Sequence, residues 1–485
     1  MPLPSIHLIL ITALISFFAN WQFAYQITYI NPSYDIIKEE AGYGMKNNLE
    51  IDYELDKEWS GWWGLIVSSF YLGSIVGFIL VPYLISSYGT RLSFLFSTIP
   101  AIIGCLIQIL PKVFNSYQFL ERKNFKIFLV MGRFIIGLQS GCSLSLLPLF
   151  INEISFKSET TFLSTFQQIS QALSTMIGLI VGSNQILPTK NEYKYLTCQV
   201  VAIIPTIVFS VFIALAPNTP FFIMKKSNDF RSLEKSLIFY RGSTYQQTEH
   251  RCLLTQAIDV EKKKDTFLRD GKELYLIKGI FIGCLASVSY AFTGDDIVDS
   301  YSSTIIITAF PNLRKFWIDM TTVFFSFILL LSSVFGSLVI HKIGTRNALI
   351  YGIIGTSFSN FFAFLGNITG TFSITILSFC VSKIFIGICA GGPAWFLMAR
   401  LVPPHLSNIL QAFSTGCILV TTGICTFLYP VLNTYFNSYS ILMLTTIPEL
   451  IIAFILYLFL PEVEKKSYQD IEHIFRNYFF SGLST

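Results

Sequence analysis

Three aspartates, Asp295, Asp296 and Asp299, fall within five residues of an otherwise apolar stretch. Asp296 and Asp299 stand three apart and so share one face of a helix. A carboxylate in such surroundings binds a hydroxyl, a cationic group or a proton, or else sits where the stretch has already reached water. Gln168 stands in a second apolar stretch. Its neutral amide offers two donors and an acceptor, the chemistry a hydroxyl-rich molecule needs and also that of an interhelical hydrogen bond. No nucleophile triad, phosphate-binding Walker motif or metal-ligand cluster accompanies these residues. The chemistry is therefore recognition rather than bond making, and neither an enzyme, a cofactor nor a metal is expected. The nine cysteines form no Cys-x-x-Cys pair and read as small hydrophobes.

The elements that position these residues follow from composition. Of 485 residues 53% are hydrophobic and only 13% charged, too few charges to cover the surfaces of several soluble domains. Lipid must be the solvent for much of the chain. The net charge of +4 excludes a nucleic-acid partner. Twelve apolar segments are long enough to span a bilayer, at about 6–30, 61–87, 93–111, 126–151, 162–187, 196–216, 277–301, 317–340, 347–366, 372–399, 408–430 and 438–460. The first has no Lys or Arg before Lys38 and is read as a retained helix rather than a signal peptide. The expected fold is all-α: residues 1–216 as an N-terminal six-helix bundle, 217–276 as a cytoplasmic linker with short helices, 277–460 as a C-terminal six-helix bundle and 461–485 as a cytoplasmic tail.

Loop charge orients the chain. Residues 31–60 carry eight acids against three lysines, whereas 217–276 carries a basic excess including Lys225, Lys226 and Lys262 to Lys264. Positive-inside bias puts the linker and both termini in the cytoplasm. The basic loop from Lys112 to Lys126, external in this arrangement, disagrees. An internal repeat supports two halves: Gly89-Thr90-Arg91 follows segment 2 and Gly344-Thr345-Arg346 follows segment 8. Arg133-x-x-x-Gly137-x-x-x-Gly141 in segment 4 answers Lys383-x-x-x-Gly387-x-x-x-Gly391 in segment 10 at the same six-segment offset. Such glycine rows serve close packing, or an interface that slides.

Ordered motifs then carry a family resemblance over nearly the whole chain. Segment 1 reads Trp21-Gln22-Phe23-Ala24-Tyr25-Gln26 and continues to Ile30-Asn31; segment 4 reads Gly132-Arg133-Phe134-Ile135-Ile136-Gly137 and ends Pro148 to Ser155 with Glu153. Thr165-Phe166-Gln167-Gln168, Pro217-Asn218-Thr219-Pro220, Ser300-Tyr301-Ser302-Ser303 and Leu460-Pro461-Glu462-Val463-Glu464 follow in order. The set resembles the sugar porters of the major facilitator superfamily, in particular the facilitative glucose-transporter branch. The resemblance implies transport of a hexose or related polyol by alternating access, about a site lined by helices 1, 5, 7 and 10. By it Gln26, Gln168, Tyr290, Asp296 and Trp395 are the substrate-binding candidates, with Gln168 bonding hydroxyls and Trp395 stacking on an apolar sugar face. Arg91, Arg133 and Glu153 are expected to meet at the cytoplasmic helix ends as a conformational latch, with Arg346 and Glu462 their second-half counterparts. A solvated helix end is the other reading of those charges. Proton-coupled members carry an acid on helix 1, where this chain has Gln26, which argues for a uniporter. The expected setting is a monomer in the plasma membrane, with the bilayer and a small molecule as its partners.

The second half departs from the family pattern. Two sugar-binding glutamines fall on Tyr290 and Ala291, an asparagine on Asp296, the helix-8 asparagine on Leu329, and two helix-10 glutamates on Gly387 and Arg400. These changes leave a cationic or amphipathic cargo held by Asp296, and a non-transporting sensor, as alternatives.

Overall fold

A computed structural model describes residues 5–43, 53–115, 124–226, 229–242, 274–403, 406–464, 466 and 468–478. The acids Glu50 and Asp52, the middle of the loop from Lys112 to Lys126, and Lys262 to Lys264 lie outside the described residues.

Among the described residues the chain makes twelve crossings. The first is Ile6–Thr28, started by the Ser5 hydroxyl, which accepts from Leu8 N. Crossings 2 and 3 are one helical run, Tyr53–Asn115, broken at Gly89. Phe125–Ile154, Lys157–Gly182 and Asn191–Leu215 are crossings 4 to 6. Crossing 7 is two pieces, Leu274–Phe292 and Asp295–Ala309, and Lys315–Ile343 and Thr345–Thr369 are crossings 8 and 9. Crossing 10 joins Phe372–Phe385 to Gly391–Leu401 through a wide π turn, Ile386–Ala390. Ser407–Phe436 is crossing 11, and residues 439–459 are crossing 12. Short helices Pro220–Lys226 and Phe230–Arg241 follow crossing 6, and Tyr468–Asn477 follows crossing 12.

Ten spans are long and apolar enough to cross a membrane, and the longest of them holds crossings 2 and 3 together. Lys157–Gly182 is the crossing outside that set; its many Ser, Thr and Gln residues make it polar on one side. Lipid as solvent shows at crossing 6, where only 28% of the most apolar window is buried and Ile204, Ile207, Val211 and Leu215 stand exposed. An apolar surface of that extent does not face water.

The bundle has a loop face, which carries residues 31–43 and 53–60, and a linker face, which carries residues 217–226 and 229–242. The repeat of Gly-Thr-Arg sits at the linker face in both halves. Gly89 (φ +80°) and Gly344 (φ +92°) make the corners after crossings 2 and 8 in a backbone region that favours glycine. The glycine rows pack within the halves. A Cβ at Gly137 would lie 2.2 Å from the Phe70 carbonyl oxygen and one at Gly141 1.8 Å from that of Ser74, so crossing 4 lies backbone to backbone on crossing 2. In the second half Gly387 meets Ser332 of crossing 8. Gly391 alone of these faces the other half.

The halves meet along crossings 2 and 11 and along 5 and 8. Toward the loop face Ser60 Oγ donates to Pro430 O (2.7 Å), and Ser183 Oγ donates to Asp319 Oδ2 (2.5 Å). Asn31 Nδ2 donates to Ser302 Oγ (2.7 Å) and to Asp299 O (3.0 Å), and Asn31 Oδ1 accepts from Ser303 N. The discordant loop lysines are matched by acids on the same face. Lys112 pairs with Glu40, Lys126 with Glu58 (3.4 Å) and Lys315 with Asp35. Lys126 also lies over the Trp62 ring at 4.2 Å.

Gly141→Val places its branched side chain on the Ser74 carbonyl, and overpacking of this kind costs about 1–3 kcal/mol or more. Detergent-purified Gly141→Val is expected to melt well below the parent, while Gly61→Ala, with open space around its Cβ, does not. Equal melting of all three would refute the close approach.

Candidate functional site

Crossing 7 breaks at Thr293 and Gly294, the latter left-handed (φ +80°), and the second piece begins with the aspartates. Negative charge suits a helix start, yet all three are buried, 3% to 7% exposed. They have not reached water. Lys383 of crossing 10, 1% exposed, donates to Asp295 Oδ1 and to Asp299 Oδ1, each at 2.5 Å. Tyr290 OH donates to Asp295 Oδ2 at 2.7 Å. The pair that shares a partner is thus Asp295 and Asp299, one helical turn apart, and not Asp296 with Asp299. Asp296 has Tyr71 of crossing 2 and Cys425 of crossing 11 as electrostatic neighbours.

Gln168 reaches the seam. Its Nε2 would lie 2.6 Å from a Cβ at Gly391, and its Oε1 approaches Gly392. A side chain at either glycine would compete with the amide for that space. Trp395 follows Gly391 by one turn, and its ring meets the Tyr290 ring edge to face at 5.5 Å. Ala172, one turn after Gln168, packs in the same apolar cluster as Tyr290, Leu329 and Ile386. Leu329 is therefore an apolar wall. Gln168, Tyr290 and Trp395 are brought together, and Asp296 joins them through Tyr290. Gln26 is not. It lies inside the first half, donating to Gln22 Oε1 at 3.1 Å, and its Oε1 finds no partner.

Of the expected latch, Arg133 stands apart. Crossing 4 runs from the loop face to the linker face, and Arg133 lies in its early part, about 30 Å of helix from Glu153. Fully buried, it donates from Nε to Ile66 O (2.7 Å) and from Nη1 to Gln26 O (2.9 Å). The other members do gather at the linker face. Glu153 Oε2 accepts from Thr90 Oγ1 (2.6 Å) and Thr219 Oγ1 (2.5 Å). Arg91 donates to the terminal carbonyls of crossing 6, Ile213 (3.0 Å) and Ala214 (2.5 Å), which a helix end leaves unpaired. In the second half Arg346 does the same for crossing 12, at Leu460 (2.6 Å) and Tyr457 (2.9 Å). Thr345 Oγ1 donates to Glu464 Oε2 (2.7 Å), and Arg400 Nη1 donates to that same oxygen at 3.0 Å. The tail thus supplies the carboxylate that crossing 4 supplies in the first half. Glu462 Oε1 accepts the backbone N–H groups of Val463 and Glu464 and so shapes the tail turn.

Sequence reasoning missed Lys383 as a site residue and used it only as a repeat marker. The signal was present: a lysine in the middle of an apolar segment demands acids, and one other segment offers three. Glu449 of crossing 12 was missed as well. It is fully buried, accepts from Thr356 Oγ1 and keeps Oε2 without a partner.

Comparison with known proteins bears on the family and the fold. A family profile described as sugar (and other) transporter matches residues 12–475. The mouse solute carrier family 2, facilitated glucose transporter member 3, is 22% identical over 96% of this chain and 92% of its own. The glucose transporter GlcP of Staphylococcus epidermidis is 23% identical over 85% of this chain and 88% of its own. Among solved structures, the inward-open xylose transporter XylE of E. coli superposes with a TM-score of 0.77 at 16% identity, covering 96% of this chain and 99% of that one. At that identity the match establishes the major facilitator fold.

Lys383→Met removes the cation from two buried carboxylates, and breaking such a pair from one side costs about 3–5 kcal/mol. Its melting temperature is expected to drop sharply, and adding Asp295→Asn and Asp299→Asn is expected to restore most of the loss. A triple variant no better than Lys383→Met alone would show that charge is not what these residues supply.

Proposed function

The chain belongs to the sugar (and other) transporter family, and on that premise we propose that it carries a sugar or related polyol across its membrane by alternating access, as a uniporter. The observation that carries the reading is the seam at Gln168: an amide from the first half set against the glycine pair of crossing 10, beside Trp395 and Tyr290. The amide bonds hydroxyls and the two rings take an apolar sugar face. Because the two sides of this site belong to different halves, rocking one half against the other exposes it to alternate faces. The hydrogen bonds that hold the halves together at Asn31, Ser60 and Ser183 lie toward the loop face, so the arrangement described is closed on that side. Residues 1–216 and 277–460 act as the two rocking units, joined by 217–276 and followed by the tail 461–485.

Arg91, Glu153, Arg346 and Glu462 serve as the latch at the linker face. Support comes from the duplicated geometry, in which each arginine caps the last crossing of its half and each Gly-Thr-Arg threonine reaches a carboxylate. Arg133 acts elsewhere, as a fixed brace between crossings 1, 2 and 4. The linker lies in the cytoplasm with both termini, in the plasma membrane of a monomeric carrier. The basic excess of 217–276 supports that orientation, and Lys112 and Lys126 on the loop face count against it.

Uptake of radiolabelled hexoses into proteoliposomes tests the function; uptake no greater than into protein-free vesicles would reject it. Gln168→Ala is expected to raise KM about tenfold, the worth of one hydrogen bond, with the protein's melting temperature unchanged. Unaltered kinetics in Gln168→Ala would place the cargo elsewhere.

A further inference from the structure

Five ionisable side chains meet where crossings 2, 4, 7 and 10 approach: the cations Arg133 and Lys383 and the anions Asp295, Asp296 and Asp299. With all five ionised, three carboxylates face two cations. Lys383 is committed to Asp295 and Asp299. Two of Arg133's donors are committed to carbonyls of Ile66 and Gln26. Tyr71 has both Asp296 and Arg133 as electrostatic neighbours, Asp296 the stronger. The Tyr71 hydroxyl is fully buried and turned toward Asp296, without a full hydrogen bond to any described group. The hydroxyls of Ser300 and Ser303, on the same piece of crossing 7, are buried without partners as well. A dry interface does not keep an unbalanced carboxylate beside an idle hydroxyl without a use for them.

We propose that the missing positive charge arrives with the cargo: the carrier takes a polyol bearing one protonated amine, an amino sugar by class. This rests on the polyol reading above and narrows it. An ammonium has three donors. Asp296 takes one in a charge-assisted bond, and the Tyr71 oxygen is placed to accept a second. Tyr290 ties this end to the rest of the site, since it neighbours Asp296 and its ring meets Trp395. Hydroxyls farther along the molecule then reach Gln168. A neutral hexose would leave Asp296 uncompensated, and a site built around such a group discriminates against the analogue that lacks the partner. An asparagine at this position would have no such requirement, so the aspartate sets the class of cargo and not merely its affinity.

The test uses the full chain in proteoliposomes at about pH 6, where an amine of this kind carries its proton. Uptake of D-glucosamine is compared with that of D-glucose and N-acetyl-D-glucosamine, the last keeping the nitrogen but not its charge. Glucosamine is expected to be taken up about tenfold or more better than either neutral sugar. Asp296→Asn is expected to erase that ratio and Asp296→Glu to retain it. Equal handling of glucosamine and glucose by the parent protein overturns the inference whatever the variants do, as does a preference that survives Asp296→Asn. Glucose uptake that acidifies the vesicle lumen and requires Asp296 would show the extra charge to be a proton, and also overturns it. If none of the three sugars crosses, it is the polyol reading itself that fails.

Discussion

Lys383 has no water to retreat to. A lysine buried to this degree inside a bundle is held by its partners or the bundle does not form, and here its partners are Asp295 and Asp299, on the far side of the break in crossing 7. The break at Gly294 would otherwise leave that second piece of helix free to tilt. The lysine fixes its rotation. The same piece presents the Asp299 carbonyl, Ser302 and the Ser303 N–H to Asn31 of the first half. Order within the second half and the Asn31 part of the closure between the halves therefore depend on a single cation.

The first half solves the equivalent problem with different partners. Arg133 occupies the repeat position of Lys383, one six-crossing unit earlier, and is as deeply buried, yet it spends its donors on neutral carbonyls. One half has kept a cation facing backbone, the other a cation facing carboxylates. The linker face shows the same pattern of fixed geometry and exchanged chemistry: Thr90 and Thr345 both reach a glutamate, but one glutamate belongs to crossing 4 and the other to the tail. A duplicated fold fixes where a charge stands. It leaves open what answers that charge, and the second half is where the answers have moved.

That distinction also explains what was legible in the sequence. Length of apolar run and loop charge sufficed for twelve crossings, because a bilayer imposes both on any chain that spans it. The Gly-Thr-Arg repeat at Gly89 and Gly344 could be read because it is a local pattern, and the corners it makes came from the structure. The seam at Gln168 and Trp395 was legible through ordered motifs. Partners across helices were not. Lys383 lies 88 residues from Asp295 in sequence, and no local pattern states which faces of crossings 7 and 10 touch. Arg133 was misplaced for a simpler reason: the alternation of crossings already required segment 4 to start at the loop face, and a residue in its early part cannot stand beside Glu153. The aspartates were left open between a binding site and a helix end in water, because one acid-rich turn carries no sign of how deep it lies.

Crossing 5 is the segment on which the seam depends, and it is also the one too polar to qualify as a span by hydropathy. The polarity that lets Gln168 face the second half, and lets the Gln167 backbone accept from Asn20 of crossing 1, gives a nascent Lys157–Gly182 little reason to leave an aqueous channel for lipid. Its insertion into the bilayer during synthesis then waits for a neighbour already in place. Crossing 1, which precedes it in the chain and packs along it in the finished protein, is that neighbour. The order of synthesis thereby becomes part of the folding information, with the first helix acting as the solvent into which the fifth dissolves.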